Sequence, residues 1–241
     1  MLKVVLFDLD GTLLPLDTDK FISIYLEKVT LFSRNKIKPD LFFKSLMDST
    51  EAMLKNNGNF TNEEVFMKNF LPAVGKDRDM MYSHFNDFYE QEFPKLKSLL
   101  ASSSDYSSWI LKAIKELIDK GYTLVVATNP VFPEIAMKER MTWAGVLDFS
   151  WSLITSYENS SCCKPNIQYY VDICNKLNVS PNHCLMVGND VQEDMVAGSI
   201  GMKTYLVTDF LIDRGEPGYR ADMKGCVEEF YSYTKKLPII S

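Results

Sequence analysis

The segment KVVLFDLDGT, residues 3–12, joins a short apolar run to a polar turn that carries two carboxylates. The run ends abruptly at Asp8, as a buried parallel strand does when its carboxyl end enters a loop. Strand-like alternation points Asp8 and Asp10 the same way, and Gly11 allows a tight exit from the strand. Two carboxylates at such a short distance repel each other unless a cation or a proton lies between them. One can attack as a nucleophile while the other serves as acid and base, although a bare D-x-D is also typical of a capped polar turn.

The pattern after this segment indicates an α/β fold with an inserted helical unit. Apolar residues between Phe21 and Phe32 repeat at spacings of four, four and three, and helical periodicity continues for most of the next 70 or so residues. From about residue 105, strands alternate with helices, which predicts right-handed βαβ units and a doubly wound parallel sheet. We therefore expect an α/β core domain of residues 1–15 and 103–241, and an all-helical domain of residues 16–102 inserted into it.

Individual elements can also be predicted from apolar periodicity and from breaker residues. Helices are predicted at 21–32, 40–55, 61–71, 76–101, 110–120, 133–143 and 165–174, with another beginning near Asp190 and a short one at the carboxyl end. Strands are predicted at 3–7, 122–129, 149–154, 183–188 and 203–207, the second of them ending in polar residues. Residues 213–224, DRGEPGYRADMK, are interpreted as a surface loop.

Composition and charge exclude several classes of partner. The 241 residues carry a net charge of -6, which argues against a nucleic-acid backbone or an anionic membrane surface. No apolar run approaches the roughly 20 residues that span a bilayer, and the amino-terminal stretch turns acidic too soon for a signal peptide. We therefore expect a cytoplasmic protein, a monomer or homodimer, whose partner is a small molecule.

The cysteines and histidines narrow the chemistry further. Five cysteines, an odd number without a C-x-x-C pair, argue against a disulfide framework or a zinc site and indicate buried, reduced thiols. Because Cys163 precedes Lys164, a lowered thiol pKa and sensitivity to oxidants are predicted there. With two histidines and no G-x-S-x-G, H-E-x-x-H or Walker motif, a mechanism based on a histidine has few candidates.

Three further polar clusters lie at predicted strand ends or helix starts. Thr128-Asn129 supply a hydroxyl and an amide, Lys164 supplies a cation before a helix, and Gly188-Asn189-Asp190 with Asp194 supply oxygen ligands. Each alone is equally typical of a turn, of a solvated lysine or of acids that favour a helix dipole. Ligands bind at the carboxyl ends of the strands in open parallel sheets, however, so the four clusters in this order favour a single site.

The order D-x-D-G-T, T-N, K-P and G-N-D with a second Asp resembles the haloacid dehalogenase-like hydrolases over essentially the whole chain, and the helical insertion resembles that family's cap domain. The resemblance implies a phosphatase that acts on small phosphorylated metabolites. By this resemblance Asp8 attacks phosphorus and becomes an aspartyl phosphate, while Asp10 protonates the leaving alcohol and then deprotonates water. Thr128 and the amide of Asn129 bind phosphate oxygens, and Lys164 neutralises charge on the nucleophile and on the transferring group.

The resemblance also implies Mg²⁺ as cofactor. The ion is expected to be held by the Asp8 carboxylate, the Asp10 backbone carbonyl and a group from Asn189 or Asp190. Many relatives carry an acid where Asn189 stands, and a neutral amide oxygen binds Mg²⁺ more weakly than a carboxylate. Either Asp190 supplies the ligand, therefore, or Asp194 compensates through a bound water.

Other activities remain open at this stage. A phosphomutase or a phosphonatase shares all four motifs, and the many lysines of the helical insertion leave a Schiff-base lysine open. Asp10 argues against a 2-haloacid dehalogenase, which keeps the nucleophile but needs no metal and typically lacks the second aspartate. Intact Asp8, Asp10 and Lys164 argue against a non-catalytic binding protein that kept only the fold.

Overall fold

The computed structural model describes residues 1–99 and 104–240, and its centre is a six-stranded, fully parallel sheet. The strands are β1 (Val4–Phe7), β2 (Thr123–Val126), β3 (Trp151–Ile154), β4 (Cys184–Gly188), β5 (Lys203–Val207) and β6 (Met223–Gly225). They lie in the order β3-β2-β1-β4-β5-β6, so that the strand order reverses between β1 and β4. The predicted doubly wound sheet is confirmed, and this reversal point is where such sheets bind ligands.

Eight α-helices are seen in the described part of the chain. They are α1 (Thr18–Ser33), α2 (Pro39–Leu54), α3 (Asn62–Val74), α4 (Arg78–Gln91), α5 (Ser104–Asp119), α6 (Glu134–Ala144), α7 (Ile167–Lys176) and α8 (Val227–Lys236). The helices α1 to α4 all lie between β1 and β2, which confirms the helical insertion. Within it, the side chain of Asp17 accepts the backbone N–H of Lys20 at 2.9 Å and so caps α1.

Both faces of the sheet are covered by helices, and the central strand β1 is apolar at every position. Val5 and Phe7 belong to a core cluster that includes residues of α5 and α8, whereas Val4 and Leu6 belong to a second cluster that includes residues of α7. Successive side chains of a strand point to opposite faces. A strand buried on both faces must therefore be a continuous apolar run, as residues 4–7 are.

Three element predictions are wrong in detail. The helix predicted at 76–101 is divided, because α4 ends at Gln91 and a 3₁₀ helix, Phe93–Leu99, follows it. Pro94 lacks the N–H that a continuing α-helix needs. Residues 100 and 101, like the predicted domain boundary at 102/103, lie outside the described residues. The interval 213–224 is not loop throughout, since β6 begins at Met223.

The third misassigned element is the helix predicted from Asp190. The chain instead makes a turn there, followed by a 3₁₀ helix, Met195–Ile200. The Asp190 carboxylate accepts the backbone N–H groups of Gln192 and Glu193, each at 2.9 Å, and this local bonding competes with an α-helix.

The cysteines are free thiols, and four of the five are buried. The predicted reactivity of Cys163 is wrong, because burial raises the pKa of its thiol to about 12. The adjacent Lys164 directs its ammonium group to carboxylates instead. None of the helices within residues 1–99 and 104–240 is long and apolar enough to cross a membrane.

Candidate active site

The carboxyl ends of β1, β2 and β4 bring the predicted motifs to one cleft. Asp8 follows β1, Thr128-Asn129 follow β2 closely, and Asn189-Asp190 follow β4, while β1 lies between the other two strands. These residues and Asp10 line a cleft of about 320 Å³. Residues of α1 and α2 line its other side, so that the helical insertion faces the strand ends across it.

Lys164 is a buried cation that contacts two of the carboxylates lining this cleft. Its ammonium Nζ lies 2.9 Å from Oδ1 of Asp8 and 2.6 Å from Oδ1 of Asp194, and its side chain is 1% exposed. Burial alone lowers the pKa of this lysine, but the carboxylates of Asp194 and Asp8 outweigh that effect and raise it well above its usual value. Lys164 is therefore charged and aimed at the first carboxylate of the D-x-D turn.

Asp194 is fixed by a second contact as well. Its Oδ2 accepts the backbone N–H of Asp190 at 3.0 Å. A Cβ added at Gly188 would lie 2.1 Å from the same oxygen. Glycine at the end of β4 thus makes room for the carboxylate that orients Lys164.

Asp10 pairs with Arg140, a residue that sequence reasoning missed. The guanidinium of Arg140 donates a hydrogen bond to Oδ2 of Asp10, and the other carboxylate oxygen is buried without a hydrogen-bond partner among the described residues. Burial raises the pKa of Asp10, and the nearby charge of Asp8 adds to this effect while Arg140 opposes it. The second carboxylate is thereby held in one orientation at the cleft.

Arg140 is almost completely buried, with its side chain 1% exposed. Its guanidinium carbon lies 4.5 Å from the centroid of the Phe132 ring and 5.3 Å from that of Phe21. A signal for this position does exist in the sequence. Arg140 falls within the helical stripe of α6 that is otherwise Ala136, Met137, Met141 and Ala144. An arginine at a core position of a helix indicates a buried partner of opposite charge.

The second motif is held by the neighbouring elements. The carbonyl of Thr128 accepts hydrogen bonds from the hydroxyls of Thr155, at 2.9 Å, and Tyr169, at 2.8 Å. Asn129 donates from Nδ2 to Glu193 at 3.2 Å, and its Oδ1 is buried with no partner among the described residues. Burial raises the pKa of Glu193 to about 7. Sequence reasoning missed Glu193, which has no motif of its own.

The two candidates of the fourth motif have different contacts. Oδ1 of Asn189 accepts the Thr12 hydroxyl at 3.1 Å, and Nδ2 donates to the carbonyl of Phe210 at 2.6 Å. The amide oxygen of Asn189 therefore lies against the D-x-D-G-T turn. Both oxygens of Asp190 are engaged elsewhere, with Oδ1 on the following turn and Oδ2 2.6 Å from the guanidinium of Arg214. Arg214, placed in a surface loop by the sequence pattern, was also missed.

The parallel sheet and the carboxylate-rich cleft at its switch point define an α/β enzyme. A family model for haloacid dehalogenase-like hydrolases matches residues 2–199, and the chain belongs to this family. This confirms the family predicted from the four motifs.

Relatives agree with this assignment. The chain is 26% identical over 228 residues to the glyceraldehyde 3-phosphate phosphatase of Methanothermobacter thermautotrophicus, covering 88% of each chain. It is 26% identical to pyrophosphatase PpaX of Oceanobacillus iheyensis, covering 82% of this chain and 78% of the relative. A haloacid dehalogenase-like phosphatase from Thermococcus onnurineus superposes with a TM-score of 0.61 at 21% identity, over 99% of this chain and 100% of that one. The predicted fold is confirmed by the last, and the prediction of a phosphatase by the first two.

Proposed function

We propose that the protein hydrolyses small-molecule phosphate monoesters through an aspartyl phosphate on Asp8. The observation that carries this proposal is the buried Lys164 ammonium, 2.9 Å from the Asp8 carboxylate at the carboxyl end of the central strand. A nucleophilic carboxylate must meet an anionic phosphate, and a fixed cation beside it reduces their repulsion. The curated relatives named above, being phosphatases, support the same reaction class.

Each residue of the site has its own role in the proposed reaction. An oxygen of Asp8 forms a bond to phosphorus as the bond from phosphorus to the ester oxygen breaks, and the leaving alkoxide takes a proton from Asp10. Water then attacks phosphorus, gives its proton to Asp10, and releases phosphate and the free Asp8 carboxylate. Lys164 stabilises negative charge in both steps, and Thr128 and Asn129 supply hydrogen bonds to phosphate oxygens.

The charges of the cleft fit a divalent cation. Its described lining carries five carboxylates, and the cations seen to contact them are Lys164, Arg140 and Arg214, which leaves an excess of one negative charge when Asp10 carries the proton that it donates. A phosphate dianion entering such a site needs further positive charge. Mg²⁺, which prefers oxygen ligands, supplies that charge and acts as a Lewis acid on the phosphoryl oxygens when bound.

The ligands that we propose are the Asp8 carboxylate, the Asp10 carbonyl and the amide oxygen of Asn189. Asn189 is favoured over Asp190 because its Oδ1 accepts one hydrogen bond, from Thr12 of the D-x-D-G-T turn, whereas Oδ1 of Asp190 accepts two backbone N–H groups and Oδ2 pairs with Arg214. Within residues 1–99 and 104–240, no three His, Cys, Asp or Glu side chains converge into a ready-made metal site. A ligand set made largely of carbonyl oxygens and water agrees with that finding.

Trapping the intermediate tests the proposal directly. The protein is mixed with a phosphate monoester and Mg²⁺, quenched in acid and reduced with borohydride, which converts an acyl phosphate at an aspartate into homoserine. Peptide mass spectrometry is expected to find the product at position 8 only, in an amount that depends on Mg²⁺. Turnover of the ester without any modification at Asp8 would overturn the covalent mechanism.

The choice of metal ligand gives a second prediction. Asn189→Asp is expected to lower the Mg²⁺ concentration for half-maximal activity by roughly tenfold, because ligand charge raises cation affinity. Asp190→Asn, which keeps an oxygen acceptor for the turn, is expected to change that concentration by less than about twofold. Mg²⁺ titration of initial rates measures both values. The reverse pattern would identify Asp190 as the ligand.

Arg140 gives a third prediction. Arg140→Met is expected to lower kcat by about 10²-fold, the range of one general acid–base group, with a small change in KM, because Asp10 loses its orienting partner. Arg140→Lys, which restores the charge without the planar fork, is expected to recover part of kcat. The exposed Arg220→Met serves as the matched control. A change confined to KM would contradict a role through Asp10.

The domain boundaries, core 1–15 and 103–241 and cap 16–102, are part of this proposal. Support comes from the inserted helices, because α1 begins at Thr18, shortly after the proposed boundary, and α1 to α4 all lie between β1 and β2. The amide of Asn62 also donates to the carbonyl of Pro130 at 3.0 Å, which ties α3 to the loop after β2. The odd number of cysteines without a C-x-x-C pair further supports our expectation of a reducing, cytoplasmic location.

A further inference from the structure

A second cavity adjoins the cleft on the side of the inserted helices. It measures about 110 Å³ and lies between α1, α2 and the loop that follows β2. Ile22, Thr50, Val131 and Phe132 line both this apolar cavity and the cleft that contains Asp8. The two spaces therefore share a wall, and a molecule bound at Asp8 has the apolar cavity as its neighbour.

The wall of the apolar cavity is largely apolar, and the polar side-chain groups among its described lining residues are the hydroxyls of Tyr25, Thr50, Tyr89 and Tyr157. No charged side chain from residues 1–99 or 104–240 lines it, and Leu46, Phe66 and Phe85 contribute large apolar surfaces. The hydroxyls of Tyr25 and Tyr89 bond to each other at 2.9 Å. The Thr50 hydroxyl donates to the carbonyl of Leu46 at 2.9 Å.

A polar substituent in this space is therefore disfavoured, whereas a hydrocarbon group replaces water without loss of hydrogen bonds. The size of the cavity limits the occupant. A cavity of about 150 Å³ holds the six carbons of benzene. By the same scale, about 110 Å³ accommodates roughly four carbons.

We propose that the apolar cavity receives the carbon chain of the substrate, so that the preferred substrates are phosphate monoesters of alcohols bearing an apolar group of about four carbons. The proposal rests on the phosphatase function proposed above. It disfavours sugar phosphates as substrates, because they would bring several hydroxyls into a space whose lining offers few groups to bond them.

A homologous series of alkyl phosphates tests the proposal, since the leaving alcohols differ little in acidity. From ethyl to pentyl phosphate, kcat/KM is expected to rise by at least about tenfold in total, because each buried methylene contributes up to about fourfold. The kcat/KM for the isosteric 4-hydroxybutyl phosphate is expected to fall at least about fivefold below that for pentyl phosphate, since its terminal hydroxyl gives up water for a mostly apolar wall. Equal kcat/KM values along the series, or for the isosteric pair, would overturn the proposal.

Filling the cavity gives the matched mutational test. Leu46, 4% exposed on α2, lines the cavity, and Leu46→Trp is expected to reduce the pentyl-to-ethyl ratio of kcat/KM to below about threefold. Leu41→Trp places the same change on the same helix at a residue that is 41% exposed, and is expected to leave the ratio unchanged. A ratio that falls equally in both variants would overturn the assignment of the cavity.

Binding without turnover separates this proposal from the catalytic one. Ethylphosphonate and pentylphosphonate cannot be hydrolysed, and their dissociation constants for the wild-type protein can be measured by calorimetry in the presence of Mg²⁺. Pentylphosphonate is expected to bind at least about tenfold more tightly. If it does so while no ester is hydrolysed, the catalytic proposal fails and the cavity assignment stands. Equal affinities would overturn the cavity assignment even if esters are hydrolysed.

Discussion

Asp8→Asn is expected to abolish turnover while the fold keeps its stability. The amide of asparagine does not attack phosphorus to form the covalent intermediate. Loss of a nucleophile typically lowers kcat by about 10⁴-fold or more. The hydrogen bond from Lys164, 2.9 Å from Oδ1 of Asp8, can be kept because an amide oxygen also accepts. Burial raises the pKa values of Asp10 and Asp194, and the charge of Asp8 adds to both shifts. Removal of the Asp8 charge therefore relieves repulsion inside the cleft, and Lys164 keeps its ion pair with Asp194 at 2.6 Å.

Two measurements on the same protein separate chemistry from folding. The kcat/KM for a phosphate monoester is expected to fall by about 10⁴-fold or more. The unfolding temperature is expected to stay within about 3 °C of the wild type or to rise, where about 1 kcal/mol corresponds to 2–4 °C in a chain of this size. Asp119→Asn, at the exposed end of α5, is the matched control and is expected to change neither value. Residual kcat/KM above roughly 1% of wild type would contradict the assignment of Asp8 as nucleophile.

The parts of the site that were predictable are those encoded locally. Asp8, Thr128 and Asn189 each follow an apolar run, and parallel strands bring their carboxyl ends to one edge of the sheet. Predicting that these three residues converge requires neither the residues that contact them nor the path of the chain between the strands. The same holds for α1, whose apolar residues between Phe21 and Phe32 repeat at a helical period, which is a short-range feature.

What was missed depends on contacts between residues distant in sequence. Arg140 meets Asp10 across 130 positions, and Arg214 meets Asp190 from a segment with no regular period. Arg214 looks like an ordinary surface charge until the fold supplies its partner, and the helical stripe that contains Arg140 indicates burial but not which carboxylate it meets. The strand β6 was missed because only Gly225 of its three residues is buried, which leaves no apolar pattern to detect. The position of the Asn189 amide, too, depends on Thr12 and Phe210.

Lys164→Met is expected to damage both catalysis and stability, in contrast to Asp8→Asn. The side chains of Lys164 and Asp194 are each 1% exposed, so the variant leaves the carboxylates of Asp8 and Asp194 in the interior without their cation. Removing one partner of a buried ion pair typically costs about 3–5 kcal/mol. The two carboxylates are then expected to share a proton, which makes the nucleophile less reactive. Together with the lost stabilisation of transferring charge, this predicts a decrease in kcat/KM of about 10³-fold.

The comparison of three variants tests this reasoning. Lys138→Met, on the exposed side of α6, removes a lysine whose side chain is 51% exposed and is expected to be neutral. Lys164→Arg keeps the charge but places a larger, planar group in a fully enclosed position, and is expected to restore little activity. Urea unfolding and steady-state kinetics measure the two effects separately. If Lys164→Met loses stability but keeps kcat/KM within about tenfold of wild type, Lys164 supports the fold and not the reaction.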